Sequence, residues 1–63
     1  MRFSLGRSYM YVIRSKSEVD DDNIPLYWNN QYGWVNISEA ESFSQDEKDI
    51  FNLPINGYWE NIE

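Results

Sequence analysis

Hydrophobic and polar positions alternate along much of the chain. Tyr9-Met10-Tyr11-Val12-Ile13-Arg14 is dense in β-formers, with Tyr9, Tyr11 and Ile13 on one side and Met10, Val12 and Arg14 on the other. This predicts a first strand. Residues 15–23 carry two Ser, Lys16, Glu18 and the run Asp20-Asp21-Asp22-Asn23, residue types that favour turns and solvated loops. They predict the longest mobile connection. Residues 24–28 resume the β pattern, with Ile24, Leu26 and Trp28 on one side, while Pro25 restricts the strand to an edge or to its own first residues. Asn29-Asn30-Gln31 then turns the chain, and residues 32–37 run back as the second arm of a hairpin, with Gly33 a candidate for the positive-φ residue of the loop.

The second half reads as short helical pieces followed by a strand. Ser38-Glu39-Ala40-Glu41 opens with a capping residue and acids that suit a positive helix N-terminus, which predicts one helical turn. Ser44-Gln45-Asp46-Glu47 fits the capping box and predicts a helix of about two turns from Gln45 toward Asn52, stopped by Pro54. Phe43, Ile50 and Phe51 are expected to close over the sheet. Pro54-Ile55-Asn56-Gly57 has turn chemistry, and residues 58–62 form the last strand. The expected architecture is α+β: a small antiparallel sheet of three or four strands with a short helical segment on one face. It forms one domain over residues 1–63, with 1–7 as a loose lead-in.

Composition narrows the chemistry. With 63 residues, roughly 60% of the unfolded chain's surface can be buried, so the core must be thin. The sequence holds no Cys and no His, which removes disulfides, thiolate metal sites and the commonest general base and metal ligand. Aromatic residues make up 17% of the chain, and each ring buries about 150–250 Å². They are the means by which so short a chain builds a core. No Gly-rich phosphate loop or nucleophile elbow is present, and the chain offers little length to shape a cleft that would tune a carboxylate pair. The expectation is a protein that is not an enzyme and takes no cofactor or metal. The triple Asp20-Asp21-Asp22 lacks the alternating oxygens, central Gly and distal Glu of a calcium loop.

Charge adds the direction of a partner. Net charge is −6, yet Arg2, Arg7, Arg14 and Lys16 all precede the first acid, Glu18, and from Glu18 onward eleven acids face only Lys48. Such a chain repels nucleic acid and polyanionic lipid, whose affinity for proteins comes largely from Lys and Arg. A protein partner with a basic surface suits it, without direct nucleic-acid or membrane binding. Asp20, Asp21, Asp22, Glu39, Glu41 and Asp46 are the candidate acidic contacts, and clustered carboxylates of this kind can imitate a phosphate backbone. The adjacent pairs Tyr27-Trp28 and Tyr58-Trp59 must each send one ring to either side of a strand. Together with Tyr32 and Trp34 they predict an exposed aromatic face, with Tyr27, Tyr32, Trp34 and Tyr58 as contact residues for a partner or for a second copy of the chain. No apolar run approaches the roughly 20 residues of a membrane helix or makes a signal peptide, which predicts a soluble, cytoplasmic protein.

The order Tyr11-Val12-Ile13, Tyr27-Trp28-Asn29, Gly33-Trp34-Val35, Glu39-Ala40 and Phe43-Ser44-Gln45-Asp46-Glu47 resembles small uncharacterised proteins of phages, mobile elements and cyanobacteria. In these a Tyr-Trp-Asn, Gly-Trp-Val, Ala, Phe, Ser/Thr, Glu layout recurs. The resemblance covers residues 10–48 and assigns no site residue. It implies a phage or mobile-element setting, in which small acidic proteins inhibit or modulate a larger host machine. The functional expectation is therefore a non-enzymatic acidic protein-binding module of counter-defence type, acting on a basic nucleic-acid-handling complex. The alternative is a homo-oligomeric structural or adaptor protein.

Overall fold

A computed structural model describes residues 10–62; the lead-in expected at 1–7, and Tyr9 of the first strand, lie outside them. Four strands, β1 (Tyr11–Val19), β2 (Pro25–Asn29), β3 (Gly33–Val35) and β4 (Gly57–Asn61), form one antiparallel sheet in the order β3-β2-β1-β4. With one 3-10 turn at Ile37–Glu39 and one helix, α1 (Gln45–Ile50), this is a small α+β fold.

β1 is central, and both of its sides are buried near its start. Ile13 is fully buried and Val12 nearly so, although neighbouring strand residues point to opposite faces. Pairing of Ile13 with Trp59 and of Tyr11 with Asn61 puts the first face against β4, while Val12 with Glu60 and Arg14 with Tyr58 define the second. Phe43 joins the first face through two backbone hydrogen bonds with Tyr11, at 2.8 and 2.9 Å. There it meets Trp59 edge-on at 5.3 Å and Phe51 at 4.8 Å between ring centres. These rings and Ile13 form one side of the core, and Val12 and Tyr27 are buried on the other.

The first strand runs past the expected end at Arg14 to Val19, so most of the predicted mobile connection is strand. Its polar residues conceal an irregularity: β1 advances from Arg14 to Val19 while β2 advances only from Tyr27 to Pro25. Such a bulge leaves backbone amides without ladder partners. Ser15 supplies one. Its buried Oγ accepts from the N–H of Ser17 at 3.1 Å and of Glu18 at 2.7 Å, while the N–H of Lys16 donates to the carbonyl of Asn56 at 2.7 Å. The buried hydroxyl is thereby satisfied, and the polar stretch stays in the sheet.

The expected hairpin of β2 and β3 forms, with Gly33 at φ 85°, but its second arm is only Gly33–Val35 rather than residues 32–37, because Ile37 already begins the 3-10 turn. Asn29 closes its loop, because its Oδ1 accepts from the N–H groups of Gln31 and Tyr32. The next turn begins earlier than Ser38: Asn36 flanks it, and the N–H of Glu39 donates to the Asn36 carbonyl. The capping box at α1 is complete, with Ser44 Oγ accepting from the N–H of Glu47 at 3.2 Å and Glu47 Oε1 accepting from the N–H of Ser44 at 2.8 Å. Pro54 to Gly57 makes a hydrogen-bonded turn with Asn56 at φ 67°, the position at which a type II turn needs a residue that tolerates positive φ.

Three substitutions test this account of β1. Ser15→Ala leaves two amides without an acceptor and is expected to cost about 1–3 kcal/mol in urea unfolding. Ser17→Ala, at an exposed side chain, is expected to stay within about 0.5 kcal/mol of the parent. Equal effects would contradict the role given to Ser15. Gly57→Ala places a Cβ 2.7 Å from Ile13 Cγ2 and 3.2 Å from Pro54 Cγ. That overpacking is expected to cost about 1–3 kcal/mol by the same measurement, and an unchanged midpoint would show that the two strands have slack.

Candidate functional site

The acidic triple is first of all a turn. Asp20 Oδ1 accepts from the N–H groups of Asp22 and Ile24 at 2.8 and 2.9 Å, and Oδ2 accepts from Asn36 Nδ2 at 3.2 Å. The Asp20 carbonyl accepts from the N–H of Asn23, which sits at φ 66°. Asp side chains favour turns by bonding their own backbone in this way. Asp20 therefore holds its own loop. Asp21 and Asp22 remain exposed, with no side-chain partner among the described residues.

The other acids lie elsewhere. Glu41 Oε1 accepts from the N–H of Asn30 at 2.9 Å, so this half-buried carboxylate braces the β2–β3 loop. Glu39 and Asp46 are exposed, and their carboxylates make no contact among the described residues. Asp49 Oδ1 accepts from Gln45 Nε2. Asp20 lies beside the start of β2, through its bond to Ile24, whereas Glu41 lies past its end at Asn30. At about 3.4 Å per residue, the five residues of β2 separate the two acidic groups by more than a Debye length of about 8 Å. In physiological salt they act independently.

The four candidate rings do not share one surface. Tyr27 is buried at 8% exposure, which corrects its placing on an exposed face. Its Oη donates to Glu60 Oε1 at 3.0 Å, and Glu60 Oε2 stands 3.6 Å from Arg14 Nη1, so one carboxylate ties β2, β1 and β4 together. Burial raises the Tyr27 phenol above its ordinary 10.0, and the hydrogen bond to Glu60 and the Glu60 charge push the same way. Trp34 is half-buried, edge-on to Trp28 at 5.1 Å. Tyr32 precedes β3 and Tyr58 lies on β4, at opposite edges of the sheet. The exposed aromatic face is thus reduced to two separate tyrosines, 70% and 37% exposed.

What the sequence reading missed is apolar. Ile50 and Ile55 are 84% and 87% exposed, and Ile50 does not close over the sheet as expected. The reason lies in which side of α1 is turned inward. Tyr11 Oη donates to Gln45 Oε1 at 2.8 Å, and Lys48 Nζ stands 5.2 Å from the Tyr11 ring centre and 5.9 Å from that of Trp59. A helix turns about 100° per residue, so Ile50 lies about 170° round from the midpoint of Gln45 and Lys48. It shares the outer face with Asp46 and Glu47, four and three residues before it. The signal was present in the pairing of Gln45 and Lys48 at helical spacing with two rings awaiting a cation.

Among the described residues no cavity is present, and no group of three or more Asp or Glu is placed to hold a metal ion. None of their helices is long and apolar enough to cross a membrane. No family model, no curated protein and no solved structure matches the chain.

The Tyr27–Glu60 contact sets an alkaline limit. Because the folded chain holds the phenol proton more tightly than the unfolded chain, this contribution to stability is complete below the ordinary tyrosine value and is lost as pH rises through the folded one. Urea midpoints measured from neutral pH to about pH 11 are expected to fall more steeply for the parent than for Tyr27→Phe. Parallel curves would show that the phenol carries no such linkage.

Proposed function

We propose that this chain is a small, non-enzymatic protein-binding module that engages a basic partner through the outer face of α1 and the segment leading to β4. The observation that carries this reading is that Ile50 and Ile55 are the most exposed large hydrophobic side chains among the described residues, and that Ile50 shares the outer face of α1 with the carboxylates of Asp46 and Glu47. Fully burying one such side chain stabilises by about 1.5–3 kcal/mol, so both are suited to anchor an interface. The carboxylates add steering. Among the described residues Lys16 is the only exposed cation, since Arg14 is drawn to Glu60 and Lys48 to the rings of Tyr11 and Trp59. A partner surface that is apolar at its centre and rimmed by Lys or Arg complements this arrangement.

The finer part of the proposal is inhibition or modulation of a larger nucleic-acid-handling host complex by a phage or mobile-element product. It is supported by the resemblance of the Tyr-Trp-Asn and Gly-Trp-Val layout and by the excess of acids. Self-association through an aromatic sheet face has less support, because Tyr32 and Tyr58 stand at opposite edges and Tyr27 is buried.

The test is binding to a crosslinked and identified partner, measured against salt and against three double variants. Ile50→Ser with Ile55→Ser is expected to weaken affinity about 10- to 100-fold, mostly through faster dissociation. Asp46→Asn with Glu47→Gln, the latter keeping an oxygen for the capping box, should slow association and flatten the salt dependence, since peripheral charges act mainly on encounter. Asp21→Asn with Asp22→Asn, at the far end of β2, should change little. An affinity untouched by the isoleucine changes, in a variant with the parent's circular dichroism, would refute the assignment.

A further inference from the structure

We propose that the peptide linkage between Asn56 and Gly57 is a site of spontaneous deamidation that the folded state holds shut and that opening of the β1–β4 end exposes. Asn56 is the only asparagine followed by glycine, so at no other asparagine is the next backbone nitrogen free of a neighbouring Cβ. Its side chain is exposed, which gives water access to the amide and lets ammonia leave. In the reaction the Gly57 nitrogen loses its proton to solvent and attacks Cγ of Asn56. A nitrogen–carbon bond forms, the Cγ–Nδ2 bond breaks, and ammonia departs. Water then opens the resulting five-membered imide, either at Cγ to give an aspartyl residue in a normal chain or at the main-chain carbonyl to give an isoaspartyl link.

The fold opposes the first step at three points. The N–H of Gly57 donates to the Pro54 carbonyl at 3.0 Å, so the attacking nitrogen is already engaged. The Asn56 carbonyl accepts from the N–H of Lys16 at 2.7 Å, which pins the peptide plane that would have to rotate. Gly57 itself is pressed against Ile13, close enough that a Cβ there would come within 2.7 Å of Ile13 Cγ2. Rotation of the 56–57 peptide toward the side chain breaks both hydrogen bonds and moves the strand start off Ile13. Modification therefore waits for local opening, as amide exchange does in well-bonded segments.

The isoaspartyl product does not return to the same structure. It adds one carbon to the main chain inside a turn that has no slack, between a hydrogen bond to Pro54 and the contact with Ile13. Either product also places a carboxylate next to exposed Ile55. Each excursion from the folded state thus carries a chance of permanent change at this one linkage.

The experiment incubates the full chain at one mildly alkaline pH and temperature across a urea series. It follows Asn56 by peptide mass, as the exchange of an amide NH2 for OH, and by isoaspartyl methyl transfer. The expected result is modification confined to Asn56, about tenfold or more slower in the folded chain, with a rate that tracks the unfolded fraction through the transition. Ser15→Ala, which weakens the strand position paired with Gly57, should bring the rate in the absence of urea closer to that of the unfolded chain. Equal rates in folded and unfolded chains would overturn the gating. An unfolded chain in which Asn56 reacts no faster than the other asparagines would overturn the site.

Discussion

Everything in this fold is arranged around the contact of Ile13 with the backbone of Gly57. Ile13 has no exposed surface, and the start of β4 lies so close to it that even a methyl group on Gly57 would overlap. That approach dictates the tight turn before it, in which Asn56 takes a positive φ and Gly57 bonds back to Pro54. It also sets the register that brings Trp59 opposite Ile13. Trp59 then gathers Phe43, Phe51 and Tyr11 by edge-to-face contacts, and Tyr11 and Trp59 together attract Lys48. A chain with no disulfide builds one side of its core from Ile13, Gly57 and a ring cluster, and the other from Val12 and Tyr27.

The elements written in local chemistry were legible from the sequence. The Ser44–Glu47 box, the β2–β3 hairpin and the positive φ of Gly33, where the loop enters β3, depend on residues within a few positions of one another. The second half of β1 was not legible, because Ser15, Lys16, Ser17 and Glu18 are individually turn-formers. Their strand conformation rests on pairing with distant segments, and the Ser15 hydroxyl makes that possible by accepting two amides. Tertiary pairing overrode local propensity there.

The candidate site divides along the same line. That carboxylates dominate the exposed surface follows from composition, and Asp21, Asp22, Glu39 and Asp46 are exposed. That Asp20 is consumed by its own turn was written in the Asp-Asp-Asp-Asn run, which has turn chemistry before it has any other. The fate of the rings was not readable. Alternation says that Tyr27 and Trp28 take opposite faces but not which face is covered, and here Tyr27 is buried beside Glu60 while Trp28 packs on Trp34. The exposure of Ile50 depends on α1 docking through a lysine and a glutamine, an orientation that an apolar-face rule assigns the wrong way round.

The picture that results is a sheet with chemically different ends. One end presents a short acidic turn, and the other presents a helix whose outer face mixes carboxylates with an unburied isoleucine, while Ile55 lies in the turn that leads into β4 beside Ser15 and Lys16. Charge alone would make both ends attract a cationic partner; Val19 and Ile24 beside the acidic turn are 43% and 52% exposed, and the helix end stands apart in the 84% exposure of Ile50. The most direct measurement is an amide chemical-shift titration of the isotope-labelled protein with a helical peptide of lysine and leucine, followed at physiological salt. The account predicts saturable shifts concentrated in residues 45–56, with the amides of residues 20–23 nearly unmoved. Saturable shifts centred instead on the acidic turn, or on Tyr58 and Arg14, would contradict it.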